Sequence, residues 1–330
     1  MQKILTTFLC LLLASTLFLS CSDSSATKTI RLAHSLNTLH PVHLGIMRMA
    51  ELVEENSDGR LKVKVFPNQQ LGTEREALEL LQIGSIGMTK VSTAAIENFV
   101  PEFRVYSLPY LFRDDAHVQA VLKGETGKEL LLAGEEYWLR GLTYYDAGKR
   151  SFYTKEKPVL SPDDLTGLKI RVMESQMSMS MVRSLSGSPT PISFGELYTA
   201  LQQGVVDGAE NNPPSYYSSR HYEVAKYYSL DEHLMVPDLL LISTLQWNKL
   251  SAEEQGWIQA AADSSSTYQF QVWQESEKEA LAAVEAAGVE IFYPDKKPFM
   301  EMTAPIYEQY KESDPKFYKL IQRIREEGNE

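Results

Sequence analysis

Leu61-Lys62-Val63-Lys64-Val65, Thr73-Glu74-Arg75-Glu76 and Met88-Thr89-Lys90-Val91-Ser92 follow closely on one another, and their order decides the fold class. The first alternates apolar with basic residues, the pattern of a strand with one face buried. In the second, Thr73 and Glu76 have the spacing of a capping box, which predicts a helix over 74–83. Gly84 and Gly87 close that helix, and the third segment reads as the next strand. Strand, helix and strand in succession predict α/β layers with largely parallel pairing.

The alternation continues on both sides. Upstream, 30–34 reads as a first strand, followed by a helix with Pro41 in its first turn and Leu44, Met47 and Val53 along its apolar side. Downstream, 141–145 is a strand that leaves through the turn Asp146-Ala-Gly148-Lys-Arg150, and Ser161-Pro162-Asp163-Asp164 is a capped helical turn. The segment 168–172 alternates as a strand and carries Arg171 near its end, and 176–186 is helical. Ser193 and Glu196 repeat the capping-box spacing before a helix with Leu197, Ala200 and Leu201. A short strand and loop over 205–212 then stop at Pro213 and Pro214. Ser251 and Glu254 open the longest periodic segment, which runs to Gly288. At about 37 residues and roughly 55 Å, it is too long for one small domain and is expected to lie across two.

The N-terminus has another character. Met1-Gln2-Lys3 precedes an apolar run from Ile4 to Leu19. One basic residue, a short apolar core and a small Ser20 predict a secretory signal over 1–20, the run being short for a membrane span. Cys21 stands where a bacterial lipoprotein carries its lipid. Leu17-Phe18-Leu19-Ser20-Cys21 resembles a lipobox apart from the bulky Phe18, so a lipidated Cys21 on a tether over 21–28 is expected, in the periplasm. The other cysteine, Cys10, lies within the signal, which excludes an intramolecular disulfide and a cysteine-based zinc site in the mature chain. The net charge of −12 in 330 residues, which becomes one unit more negative without Lys3, argues against a nucleic-acid partner. Against that background, an acidic ligand needs a local concentration of positive charge.

No nucleophile elbow, phosphate-binding loop, zinc-protease helix or dinucleotide fingerprint occurs, so no enzyme activity and no cofactor are expected. His34, His40 and His43 lie close together, but His40 and His43 flank Pro41 at a helix start. Without a cysteine or further ligand they read as a cap and a surface or cleft residue, and no metal is expected. Arg150 and Arg171 leave strand ends, where α/β proteins bind ligands, and a guanidinium matches a carboxylate as a two-pronged fork. By pattern alone an arginine at a strand end is more often a structural ion-pair residue.

Longer motifs add to this. They are Phe66-Pro-Asn-Gln-Gln-Leu-Gly-Thr-Glu74, Ser107-Leu-Pro-Tyr-Leu-Phe112, Tyr145-Asp-Ala-Gly-Lys-Arg150, Gly167-Leu-Lys-Ile-Arg-Val172, Phe194-Gly-Glu-Leu-Tyr198 and Val206-Asp-Gly-Ala-Glu-Asn211. In order and over nearly the whole mature chain, they resemble the periplasmic solute-binding subunit of TRAP transporters, the dicarboxylate-binding family. The resemblance implies a two-lobed clamshell with ligand in the cleft and the long helix spanning both lobes. The expected lobes are 29–148 completed by 237–276, and 149–236 completed by 277–330. It further implies that Arg171 pairs with the ligand carboxylate, that Arg150 is a second basic residue and Asn211 bonds the same end, and that Phe194 packs on the ligand. Lobe closure then supplies affinity by favouring the bound state. The partners implied are a small organic acid and membrane permease subunits, with the binding protein a monomer.

Glu74 at a helix start can accept from hydroxyls or simply favour the helix dipole. Lys90, a charge in a mixed strand, needs a partner if it faces inward. His34 ends the first strand and can donate. Together they point to a polyhydroxylated acid, and the pattern of His34, His40 and His43 with Asp231-Glu-His233 is similar to hexuronate-binding members of the family. A C4-dicarboxylate ligand, or docking on a sensor receptor in place of a permease, are the alternatives.

Overall fold

The structure, a computed structural model, describes residues 27–328. The predicted secretory signal and Cys21 lie outside these residues. Among the described residues, no helix is long and apolar enough to cross a membrane.

Eleven strands, numbered in chain order, form two sheets among the described residues. In the first, β1 (Lys28–Ala33) runs parallel to β2 (Leu61–Phe66) in unbroken register, Lys28 opposite Leu61 through Ala33 opposite Phe66. The alternation in β2 turns Leu61 inward and leaves Lys62 and Lys64 exposed on a sheet edge, where lysine discourages further pairing. On the other side of β1 lies β3 (Met88–Ser92), then β10 (Asp238–Ser243) and β4 (Leu139–Tyr145). The second sheet takes β5 (Lys149–Thr154), β6 (Lys169–Val172), β7 (Ser188–Pro191), β8 (Gly208–Asn211), β9 (Tyr227–Met235) and β11 (Glu290–Phe292), in the order β11-β9-β5-β8-β6-β7.

Pairing is mixed, not largely parallel. β10 is antiparallel to β3 and β4, and β5 is antiparallel to β8 and β9. The cause is the route of the chain. It crosses from the first sheet to the second between Tyr145 and Lys149 and returns between Met235 and Asp238. The crossings lie side by side, with Lys149 opposite Met235 and Asp238 opposite Tyr145. Two neighbouring crossings of opposite direction impose antiparallel pairs on both sheets.

The helix Ala252–Ala286 joins the lobes, starts in the predicted Ser251–Glu254 capping box, and is 35 residues long. It packs on the helix Pro41–Asn56 of the first lobe and on Pro213–Ser218 of the second. At the crossing, Gln269 accepts from the Asp146 backbone N–H (2.8 Å) and donates to its carbonyl (2.9 Å). Beside it Gly148 has φ +56°, and a Cβ there would sit 2.8 Å from Trp273 Nε1. Glycine is therefore required on both counts. In Pro41–Asn56 the buried stripe is Val42, Ile46, Met49 and Val53, whereas Leu44 and Met47 are partly exposed. That helix carries two apolar stripes, and packing against the sheet and the long helix selects the one that also includes Gly45. A Cβ at Gly45 would meet Gln269 at 2.7 Å.

The C-terminal helices divide between the lobes. Lys297–Thr303 and Pro305–Ser313 lie against Gln176–Ser184 in the second lobe, but Pro315–Glu326 lies against Pro101–Ser107. His117 bonds the Ile324 carbonyl at 2.6 Å, and Arg113 donates to the Arg325 carbonyl at 2.6 Å. The lobes touch across the cleft. Asn37 donates to the Ser218 carbonyl (2.9 Å), Asn98 donates to the Glu174 carbonyl (2.6 Å), and Glu97 accepts from the Met177 N–H at the start of Gln176–Ser184 (3.3 Å).

Candidate functional site

Between the lobes lies a cavity of about 610 Å³, a size that encloses a small organic molecule. It sits at the carboxyl ends of the parallel strands β3 and β6, and the two lobes line it with opposite chemistry.

The second lobe supplies cations and amide donors. Arg171 leaves β6 with 2% of its surface exposed. Its Nε donates to the Ile192 carbonyl at 2.8 Å, while its buried Nη1 has no partner among the described residues. Burial lowers the pKa of this guanidinium, against the opposing pull of Glu210. Such a donor is costly unless something accepts from it.

Arg150 differs. Its Nε donates to Glu210, its Nη2 to Glu210 Oε1 (2.8 Å) and the Glu210 carbonyl (2.7 Å), and its Nη1 to Asn211 Oδ1 (2.7 Å). Four of the five N–H donors a guanidinium offers are thus engaged within the protein. Asn211 Oδ1 also accepts from the Asn212 N–H at 2.9 Å, which leaves the Asn211 amide group to donate. Beneath Arg150, His233 bonds Asp231 at 2.7 Å, lies 3.7 Å from Glu210, and stacks on Phe152 with ring centroids 4.2 Å apart. Burial alone would lower its pKa, but Asp231 and Glu210 outweigh burial and push it up to about 9. Burial would likewise raise the Glu210 carboxyl, and Arg150 and His233 bring it down to about 2.

The first lobe supplies carboxylates around one ammonium. Lys90 in β3 is 2% exposed and donates to Glu74 Oε1 (3.3 Å) and Asp238 Oδ2 (3.1 Å). Burial works against its charge, and the two acids more than compensate, so its pKa is raised. Burial raises Asp238 against the pull of Lys90. Glu74 begins the helix Glu74–Gln82, whose Thr73–Glu76 capping box forms as predicted, and its Oε1 also accepts from Ser35 (3.2 Å) and the Ser92 N–H (3.3 Å).

The cavity wall therefore brings together Arg171, Arg150, Asn211, Glu74, Lys90 and Phe194. Phe194 is partly buried and meets His221 edge-on, with centroids 5.8 Å apart. His34 is not on the wall. Its Nδ1 accepts from the Leu36 N–H (3.2 Å), its Nε2 faces His43 (3.0 Å), and burial with Lys90 nearby pushes its pKa down to about 2. The wall histidine is His40, which caps Pro41–Asn56 through Nδ1 and bonds Ser215 at 3.0 Å through Nε2. Among the described residues, no group of three or more His, Cys, Asp or Glu side chains could hold a metal ion. Among the wall residues that sequence reasoning missed, Asp238 is the acid that holds Lys90. Its available signal is an acid directly after Pro237, opening the otherwise apolar run Leu239–Ile242.

Comparison with known proteins agrees with this architecture. The family described as bacterial extracellular solute-binding protein, family 7, matches residues 32–314. The uncharacterized protein YiiZ of Salmonella typhimurium is 41% identical over 302 residues, covering 91% of this chain and 92% of its own. A TRAP periplasmic solute-binding protein from a Bradyrhizobium species, in complex with galacturonate, is 42% identical with a TM-score of 0.88, over 91% of this chain and all of its own. Another from Roseobacter denitrificans, with bound glucuronate, is 38% identical with the same TM-score and coverage. The family match over most of the chain and the close similarity in sequence and fold show that the chain belongs to family 7 of the bacterial extracellular solute-binding proteins, as a TRAP-type member.

Proposed function

We propose that this protein captures a hexuronate of the glucuronate or galacturonate type and hands it unchanged to membrane permease subunits. The observation that carries the reading is Arg171, a fully buried arginine on the cavity wall whose Nη1 has no partner within the described chain. A ligand carboxylate supplies the missing acceptor, with the Asn211 amide beside it. The ring hydroxyls then meet Glu74, Asp238 and Lys90, and Phe194 offers an apolar face. The hexuronates bound in the Bradyrhizobium and Roseobacter proteins support the same reading. The wall does pair a hydroxyl with an imidazole, Ser215 with His40 at 3.0 Å. His40 Nδ1 accepts from the Val42 N–H, however, so its Nε2 donates to Ser215 and is not free to take a proton from it; release of the intact acid is expected.

Thermal shift against galacturonate, glucuronate, succinate, malate and sialic acid tests this. At a hundredfold excess over Kd, a ligand of the folded state adds about 2.7 kcal/mol and raises the melting temperature by several degrees. Stabilisation by a hexuronate, lost in Arg171→Ala with an unchanged circular dichroism spectrum, is the expected result. A shift with succinate or malate alone, or full affinity in Arg171→Ala, would refute it.

A further inference from the structure

We propose that Glu74, Lys90 and Asp238 form a charge filter that admits acids with one carboxylate and rejects those with two. The inference rests on the hexuronate reading of the same cleft and names what that cleft refuses.

The two ends of the cavity are unequal. Arg171 offers a buried donor without a partner among the described residues, and this end takes one carboxylate. At the other end the only cation among these three residues, Lys90, is already held by two carboxylates, at 3.3 and 3.1 Å. Within this trio two carboxylates against one ammonium leave one negative charge in excess, and the nearby wall cations are already paired, Arg150 with Glu210 and Arg75 with Glu79. Glu74 takes its bonds from Ser35, Lys90 and Ser92 on Oε1, and Asp238 takes that of Lys90 on Oδ2. The oxygens that remain, Glu74 Oε2 and Asp238 Oδ1, can only accept, which suits hydroxyl donors.

A second carboxylate reaching this end would bring only acceptors and a like charge. At roughly 5 Å from one uncompensated negative charge, with the effective dielectric of a partly buried site, it loses about a hundredfold in affinity. The ligand class is thus narrowed to hydroxylated monoacids, uronic and aldonic. Aldaric acids of the same configuration are refused, although they carry the same internal hydroxyls.

Isothermal titration calorimetry of the purified protein with galacturonate, galactonate and galactarate tests the filter. Galactonate and galactarate share the open chain and differ by one terminal carboxylate. We expect galactarate to bind about a hundredfold more weakly than galactonate, and Asp238→Asn or Glu74→Gln to narrow that gap at least about tenfold. The filter is overturned if galactarate binds within about threefold of galactonate in the wild type, or if neither variant changes the ratio. Where galacturonate alone binds the wild type, galactarate must become measurable in one of the two variants, and its absence in both rejects the filter. Failure of galacturonate to bind, with galactonate still preferred over galactarate, sinks the hexuronate reading and leaves the filter standing. Binding of none of the three rejects both.

Discussion

His233 is held as a cation between Asp231 and Glu210, and its replacement by glutamine removes the charge at similar volume. Its pKa rises from an ordinary 6.5 to about 9 in the folded protein. Linkage converts that rise into about 3 kcal/mol of stability. Because the folded pKa is the higher one, the contribution is present in full below about pH 6.5 and is lost as the pH rises through about 9. For a chain of this length each kcal/mol moves the melting temperature by about 2 °C, which makes the effect about 6 °C. Scanning calorimetry of the wild type and His233→Gln, at half-unit steps from pH 6 to 10, measures it. The wild type should melt about 6 °C above the variant near neutrality, and the two curves should converge toward pH 10. Parallel curves across the range would show that His233 is not held as a cation, and the account of the cluster beneath Arg150 would fall with them.

Three further perturbations follow from the same geometry. Gly148→Ala forces a Cβ to within 2.8 Å of Trp273 Nε1 at a φ of +56°, and should cost about 1–3 kcal/mol in chemical denaturation; an unchanged midpoint would show that the crossing relaxes freely. Glu97→Ala removes the carboxylate that meets the Met177 N–H across the cleft, about 1 kcal/mol of the closed state, and calorimetry should report ligand affinity about fivefold lower though Glu97 is not on the cavity wall. Lys90→Met leaves Glu74 and Asp238 without their cation, which urea unfolding should register as a loss of about 3–5 kcal/mol; a neutral result would mean that the acids shed their charge without cost.

What could be read in advance was local. The Thr73–Glu76 and Ser251–Glu254 capping boxes and the alternation of 61–65 depend on neighbours a few residues away, and all formed where expected. Partners distant in the chain were illegible. Nothing near Arg150 announces that Glu210 and Asn211, some sixty positions on, engage most of its fork. A lone arginine at a strand end looks the same whether it holds a ligand or holds its neighbours. Arg171 was singled out by resemblance, and the burial of its Nη1, without a partner among the described residues, gives a physical reason for the role proposed for it. His34 misled because a histidine closing a strand says nothing about where its nitrogens are satisfied. Mixed pairing was hidden for a related reason, since β10 finds β3 and β4 from far along the chain.

The last helix gives the molecule a particular order of assembly. Pro315–Glu326 buries Phe317, Ile321 and Ile324 in a core that also contains Val118, Val121 and Leu130, and His117 reaches Ile324 across 207 positions. The first lobe therefore begins with β1 and is completed only when residues beyond 315 have been made. Closing so long a loop delays these contacts in folding. A nascent chain cut off before residue 315 would hold strands from both sheets yet leave this apolar core open. Synthesis of the residues beyond 315, not the emergence of the strands, sets the earliest moment at which this core can close.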